Sequence, residues 1–227
     1  MNEPLGFKNQ KVQELRRLIG RRSSRSEAGA FAVEGAVLIR EAVRAGWEID
    51  AEFVAAGAEP VTDGAWYPLA DGVLERVSST EHPQPNVARV RIPDRVVALD
   101  EARLVVVLDR IADPGNLGTI LRSSEAAGAD AVALTPGSVD PFNPKVVRAS
   151  AGALFHLPVA EASLDEVAAA GLRLVATSSH RGVDHTGADW SGRVAIVMGS
   201  EAHGIADDAP IAEWVRIEHR GRSESLN

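Results

Sequence analysis

The stretch that most constrains how this chain folds is residues 104–128, LVVVLDRIADPGNLGTILRSSEAAG. Leu104, Val105, Val106, Val107 and Leu108 form an apolar, β-branched run, the pattern of a strand buried on both faces. Asp113-Pro114-Gly115 then breaks the chain: Asp suits a helix N-cap, Pro the first helical position, and Gly a tight bend. Ile120, Leu121, Ala126 and Ala127 continue as a helix with Gly128 at its C′ position. Residues 131–134 read as the next strand. This is a βαβ unit, with Asn116-Leu117-Gly118 read as a polar turn at the carboxyl end of its first strand. Open α/β sheets bind ligands at that end. The segment carries neither GxGxxG nor a P-loop.

The rest of the chain alternates in the same way. Val12, Leu15, Leu18 and Ile19 recur at helical spacing, which predicts an amphipathic helix over 8–19. Should that helix continue, Arg17, Arg21 and Arg25 share its outer face. Ser23, Ser24 and Ser26 read as a loop. Strands are expected at 31–33, 47–54, 73–77 and 87–92, with a helix over 35–45 closed by Gly46. The polar stretch 92–101 is the expected linker. This divides the chain into a small α/β domain, 1–95, and a second domain, 96–227. In the latter, Asn143-Pro144 caps a helix through 151, and 164–170 forms another helix. Residues 172–176, 194–198 and 214–217 read as strands.

Composition narrows the function. With 45% hydrophobic and 25% charged residues, the 227-residue chain can bury a core. No apolar run approaches the ~20 residues that span a bilayer, and no signal peptide is visible. The absence of Cys excludes disulfides, thiolate metal sites and Cys nucleophiles, and suits a cytoplasmic protein. His156, His180, His185, His203 and His219 are not spaced as a metal cage, and no metal is expected. A net charge of −8 argues mildly against a nucleic-acid partner, but its distribution reverses that reading. Residues 1–25 carry Lys8, Lys11, Arg16, Arg17, Arg21, Arg22 and Arg25 against two acidic residues, a net of +5 that leaves −13 elsewhere. Such asymmetry points to a basic contact surface at one end of the chain, and Lys145 and Arg148, three apart, are placed to meet phosphate as well.

Three motifs in order carry a resemblance. Asn116, Gly118 and Arg122 form N-x-G-x-x-x-R; Gly199, Glu201 and Gly204 form G-x-E-x-x-G after an apolar strand; Ile217, Gly221, Ser225, Leu226 and Asn227 form I-x-x-x-G and S-L-N. Together with NPKVVRASAGALFHLPV at 143–159 and F-x-V-E-G at Phe31, Val33, Glu34 and Gly35, they resemble the SpoU/TrmH family of SPOUT RNA 2′-O-ribose methyltransferases. Ser200 stands where that pattern has Asn, and Glu218 and His219 stand where it has Pro and Met.

The resemblance implies an α/β fold: a parallel-sheet SPOUT domain with a C-terminal trefoil knot, preceded by a small substrate-binding domain. It implies S-adenosylmethionine as cofactor, contacted by Gly199, Ser200, Ile217, Gly221 and Leu226. It implies Asn116, Arg122, Glu201, Ser225 and Asn227 as catalytic residues, and a homodimer as the working form. The two-domain form leans toward ribosomal RNA over tRNA. A dimer that binds RNA without turnover, and a SPOUT enzyme that methylates a base, stand as alternatives. Because the family's final helix begins at the S-L-N motif, residue 227 is not expected to be the natural end of the protein.

Overall fold

The computed structural model describes residues 3–94, 97–200 and 204–217. By their contacts they fall into two compact units, 1–95 with 140–156, and 96–139 with 157–227.

In the first unit, the Asn9 side chain accepts from the Lys11 amide and starts α1 (Gln10–Gly20). Val12, Leu15, Leu18 and Ile19 are buried, as the periodicity predicted. The helix breaks at Arg21, which is extended (φ −135°, ψ 124°), and resumes as α2 (Arg22–Ala28). The serine-rich segment expected as a loop is therefore helical. Its sequence is a poor helix former, and the tertiary contacts of Arg25 outweigh that preference. Arg25 is 4% exposed. Its guanidinium donates to the Leu18 carbonyl (2.7 Å), near the end of α1, and to Asp140 Oδ2 (2.7 Å). Arg25 thus does not share an outer face with Arg17 and Arg21.

The unit's sheet has the order β1-β4-β2-β3, from β1 (Ala30–Glu34), β2 (Ile49–Val54), β3 (Trp66–Pro68) and β4 (Asn86–Arg91). Helix α3 is Ala36–Arg44. Residues 73–77, expected as a strand, form helix α4 (Val73–Val77). Five apolar residues suit either element, and burial of Val73, Leu74 and Val77 beside Val12, Leu15 and Phe53 settles it as a helix turn. The F-x-V-E-G residues hold this unit together. Phe31 packs against Trp47 and Phe142 at 5.7 and 4.9 Å between ring centroids. The buried Glu34 carboxylate accepts from Ser78 Oγ, Thr80 Oγ1 and the Gln84 amide, fixing the connection into β4.

Sequence order places 140–156 in the second domain, yet its contacts lie with the first unit. Besides Arg25–Asp140, Trp47 Nε1 donates to the Phe155 carbonyl at 2.9 Å. His156 Nε2 lies 2.8 Å from Glu41 Oε1, and this bond holds the Glu41 carboxyl below its ordinary value.

The second unit is a seven-stranded sheet in which every paired neighbour is parallel. Its strands are β5 (Leu104–Asp109), β6 (Ala131–Leu134), β7 (Val159–Glu161), β8 (Arg173–Ser178), β9 (Val183–Asp184), β10 (Val194–Gly199) and β11 (Glu213–Arg216). The order is β7-β6-β5-β10-β8-β11-β9. The chain runs outward from β5 to β7, crosses to β8, and then inserts β10 between β5 and β8. The order reverses at the β5/β10 boundary, which makes the carboxyl ends of these two strands the natural crevice. Val105, Val107, Ala133, Leu174, Ala195 and Val197 are buried within the sheet's core cluster. The expected parallel α/β sheet is present. The knot expected at the C-terminal end involves residues 218–227, which lie outside the described residues. Among the described residues no helix is long and apolar enough to cross a membrane.

Candidate active site at the carboxyl edge of the parallel sheet

Helix α5 (Pro114–Ala126) follows β5 and begins as its sequence dictates. Asp113 is extended and its Oδ1 accepts from the Asn116 amide at 2.8 Å, with Pro114 at the first helical position. Gly115 is needed there, because a Cβ would stand 2.9 Å from the capping Asp113 Oδ1. Asn116, Leu117 and Gly118, expected as a turn, are instead the first turns of α5. The cap accounts for this: once Asp113 satisfies the helix's open amides, the helix can start at the strand end.

Leu117, Gly118, Leu121 and Ser124 are the buried face of α5. Asn116 is half-buried and Arg122 exposed. Six residues apart on the helix, they lie roughly 120° apart around its axis, flanking the outer face rather than sharing one stripe. No described residue pairs with the Arg122 guanidinium, which therefore presents a full positive charge to an incoming group.

The second motif leaves β10 next door. Gly199 pairs with Asp109 across the β5/β10 ladder, so segments 90 residues apart in sequence exit side by side. Ser200 and Gly204 bridge, the Gly204 amide donating to the Ser200 carbonyl at 2.8 Å. A Cβ on Gly199 would meet the Gly204 carbonyl carbon at 2.6 Å and Ile205 Cγ1 at 2.8 Å. Only glycine lets the chain return so close to its own departure. Replacing Gly199 by Ala is expected to spread the Ser200–Gly204 bridge and weaken ligand binding at this edge about 5- to 150-fold, the 1–3 kcal/mol that overpacking costs. Calorimetric titration with S-adenosylhomocysteine, run beside a melting curve, checks it; unchanged affinity in the Ala variant contradicts it.

Residues that the motifs did not single out complete this edge. Asp109, buried at the end of β5, accepts from Thr135 Oγ1 at 2.8 Å. Arg110 follows with a left-handed backbone (φ 57°), and its amide donates to Thr135 Oγ1 at 3.0 Å. Its guanidinium donates to Asp109 Oδ2 and to the Gly204 carbonyl. The only sequence signal was a charged pair closing an apolar strand. At the end of β11, Ile217 is exposed, and on β10 Met198 is half-buried. Glu201, Gly221, Ser225, Leu226 and Asn227 lie outside the described residues. Among the described residues no cluster of His, Asp and Glu is placed to hold a metal ion.

In the first unit, Lys8, Lys11, Arg17, Arg21 and Arg22 are exposed on or beside α1 and α2. Lys11 Nζ stands 4.7 Å from the centre of the Tyr67 ring. Lys145 is exposed on helix Pro144–Ala149, whereas Arg148 is half-buried and donates to Ser79 Oγ, 3.9 Å from Glu34. Arg25 is withdrawn from this basic surface by its burial.

Two family models match the chain: the SpoU rRNA Methylase family over residues 103–227, and the MRM3-like substrate binding domain over residues 9–88. The chain is 32% identical to the 23S rRNA (guanosine(2553)-2′-O)-methyltransferase RlmP of Bacillus subtilis, over 97% of this chain and 92% of that one. It is 30% identical to the 23S rRNA (uridine(2479)-2′-O)-methyltransferase of Streptomyces viridochromogenes, covering 97% and 85%. Among solved structures it resembles the SpoU methyltransferase AviRb from Streptomyces viridochromogenes in complex with AdoMet, with a TM-score of 0.87, 28% identity, and 97% and 92% of the two chains covered. It also resembles the AdoMet-bound rRNA methyltransferase from Sinorhizobium meliloti, with a TM-score of 0.88, 29% identity, and coverage of 100% and 92%. A parallel sheet whose β5 and β10 ends unite the first two motifs, matched over more than half the chain by one family model, means that this chain belongs to the SpoU rRNA methylase family.

Proposed function

We propose that this protein transfers a methyl group from S-adenosylmethionine to a ribose 2′-hydroxyl of ribosomal RNA, working as a homodimer in the cytoplasm. The observation that carries the reading is the Asp109–Gly199 register pair, by which the strand leading to the Asn116/Arg122 helix and the strand ending at Gly199 leave the sheet side by side at its switch point. The relatives' names support ribosomal RNA as the substrate.

The residues present suit the cofactor. The close return at Gly199 offers main-chain groups, and the exposed Ile217 and half-buried Met198 offer apolar surface, which suits an adenosine. Gly199, Ser200 and Ile217 would hold it from the described residues. When bound, S-adenosylmethionine supplies a methyl group already activated by its sulfonium. The chain's tasks are then to orient the 2′-hydroxyl and stabilise the charge that develops on it. Arg122 does the latter and grips a backbone phosphate through its planar fork. It cannot act as a base at neutral pH, because a guanidinium does not lose its proton there. Asn116 offers an amide to the ribose. The exposed cations of α1 and α2 bind RNA through its phosphates.

Incubation with methyl-labelled S-adenosylmethionine and ribosomal RNA from a strain lacking the gene, followed by nucleoside analysis, tests this. Label in a 2′-O-methylnucleoside is the expected result. Label on a base, or tight RNA binding with no transfer, would overturn it. Replacing Arg17 and Arg21 together by Ala should weaken RNA binding and lower the slope of log K against log[salt] by about 1.4–1.8, since each phosphate contact contributes about 0.7–0.9. Filter binding across a salt series reads this, and equal slopes for variant and parent refute it.

A further inference from the structure

Arg110 has a backbone and a hydrogen-bond set that the motifs do not account for. Its φ of 57° lies in the region that side-chain-bearing residues rarely adopt, at the first position after β5. A non-glycine residue held there at a strand end beside a ligand site is where backbone strain and function tend to coincide. Its amide donates to Thr135 Oγ1 (3.0 Å), and Thr135 Oγ1 donates to Asp109 Oδ1 (2.8 Å). The other carboxylate oxygen, Oδ2, takes Nε and Nη2 of the Arg110 guanidinium at 3.2 and 3.0 Å. The same Nη2 reaches the Gly204 carbonyl at 3.2 Å. Among the described residues this guanidinium supplies the ion pair of the buried Asp109 carboxylate.

The network is closed and directional. The left-handed backbone turns the Arg110 side chain back over its own strand end instead of onward with α5. From there it spans to the point where the chain after β10 returns. Gly204 is already bonded to Ser200 through its amide. The guanidinium takes the opposite side of that residue, its carbonyl, and ties it to the anchored carboxylate of β5. A charge-assisted bond of this kind is stronger than a neutral one and fixes geometry as well.

We propose that Arg110 is a positioning residue, latching the carbonyl of Gly204, whose amide is bridged to Ser200, to the Asp109 carboxylate and so setting how tightly Gly199 and Ser200 hold S-adenosylmethionine. The inference rests on the proposed function only for the identity of the ligand; the latch itself is a property of the fold. Arg110 touches no reacting atom in this account. Its loss should appear in cofactor affinity, with the rate at saturating cofactor less affected.

Glycine is the informative substitution, because it keeps the left-handed backbone without strain and removes only the side chain. In Arg110→Gly, amide exchange in a peptide covering 204–206 should quicken by about tenfold, the scale of one lost charged hydrogen bond. Protection in the β5 and β10 cores should stay as in the parent. Affinity for S-adenosylhomocysteine should fall by a similar factor, and Arg110→Lys should restore part of both. The double variant Asp109→Asn/Arg110→Gly covers the case in which the unpaired Asp109 charge unfolds the single variant, since the neutral amide needs no cation. It should show the same fast exchange. Unchanged exchange at 204–206 in whichever of the two variants is folded overturns the proposal, as does full recovery of exchange protection and affinity in a variant lacking the guanidinium. A parent protein that binds no S-adenosylhomocysteine and transfers no methyl group defeats the functional reading instead, and the exchange comparison then still decides the latch.

Discussion

Arg122→Ala is expected to lower turnover about 10²–10³-fold, the range seen when one donor to a developing oxyanion is removed. The residue projects from α5 into solvent, and no described residue pairs with it, so its charge does no internal work. Its removal should leave the melting temperature nearly unchanged, as for other exposed positions lacking partners. Cofactor affinity should hardly move either, because the strand ends that would hold the cofactor belong to β10 and β11. Arg122→Lys should recover only part of the rate: a lysine keeps the charge but not the two-pronged donor. Single-turnover methyl transfer at saturating cofactor and RNA isolates the step. An Ala variant within a factor of two of the parent rate excludes transition-state stabilisation by this residue. A fully active Lys variant excludes the forked contact.

The second large effect is on stability. Arg25→Ala is expected to cost about 3–5 kcal/mol, the usual result of removing one member of a buried ion pair. Two losses coincide. Asp140, 8% exposed, would keep a carboxylate whose cation is gone. The Leu18 carbonyl near the end of α1 would lose the donor that closes it. For a chain of this size the melting temperature should drop by roughly 10 °C. Asp140→Asn should cost less, since its amide can still accept from Arg25. A paired replacement by apolar residues, Arg25→Met with Asp140→Leu, should recover much of the loss, because it leaves no buried charge. Differential scanning calorimetry of the four proteins decides this. A melting point for Arg25→Ala within 1 °C of the parent's would show that the pair contributes nothing. Arg25 also bears on RNA binding: its variant should reduce affinity only as far as it unfolds the first unit, unlike the Arg17/Arg21 pair.

Local chemistry explains what could be read without coordinates. The cap-and-proline starts at Asp113-Pro114 and Asn143-Pro144 satisfy helix amides within three residues, so they act whatever surrounds them. The structure adds a local signal of the same kind that the sequence reading did not use, a capping box of Ser163 and Glu166 at helix Leu164–Ala169. Continuous β-branched runs such as 104–108 and 194–198 have no face to offer water and must lie inside a sheet. The alternation of these elements, with the three motifs, was enough to indicate the parallel α/β architecture and the family.

Pairing across distance was not legible, because no local signal encodes it. The seven apolar and polar residues of 22–28 favour no helix of their own; burial of Arg25 against a carboxylate 115 residues away makes one. Five apolar residues at 73–77 fit strand or helix equally, and only the core they enter decided between them. The segment 140–156 carries family motifs in sequence, yet its aromatic rings and Asp140 pack with the first unit. The insertion of β10 between β5 and β8 brings Gly199 beside Asp109 and lets Arg110 reach Gly204. By itself, then, the sequence determined which elements form, through contacts a few residues apart. The tertiary structure alone decided which of them meet, because strand order and buried charge pairing are set by the burial of the whole chain.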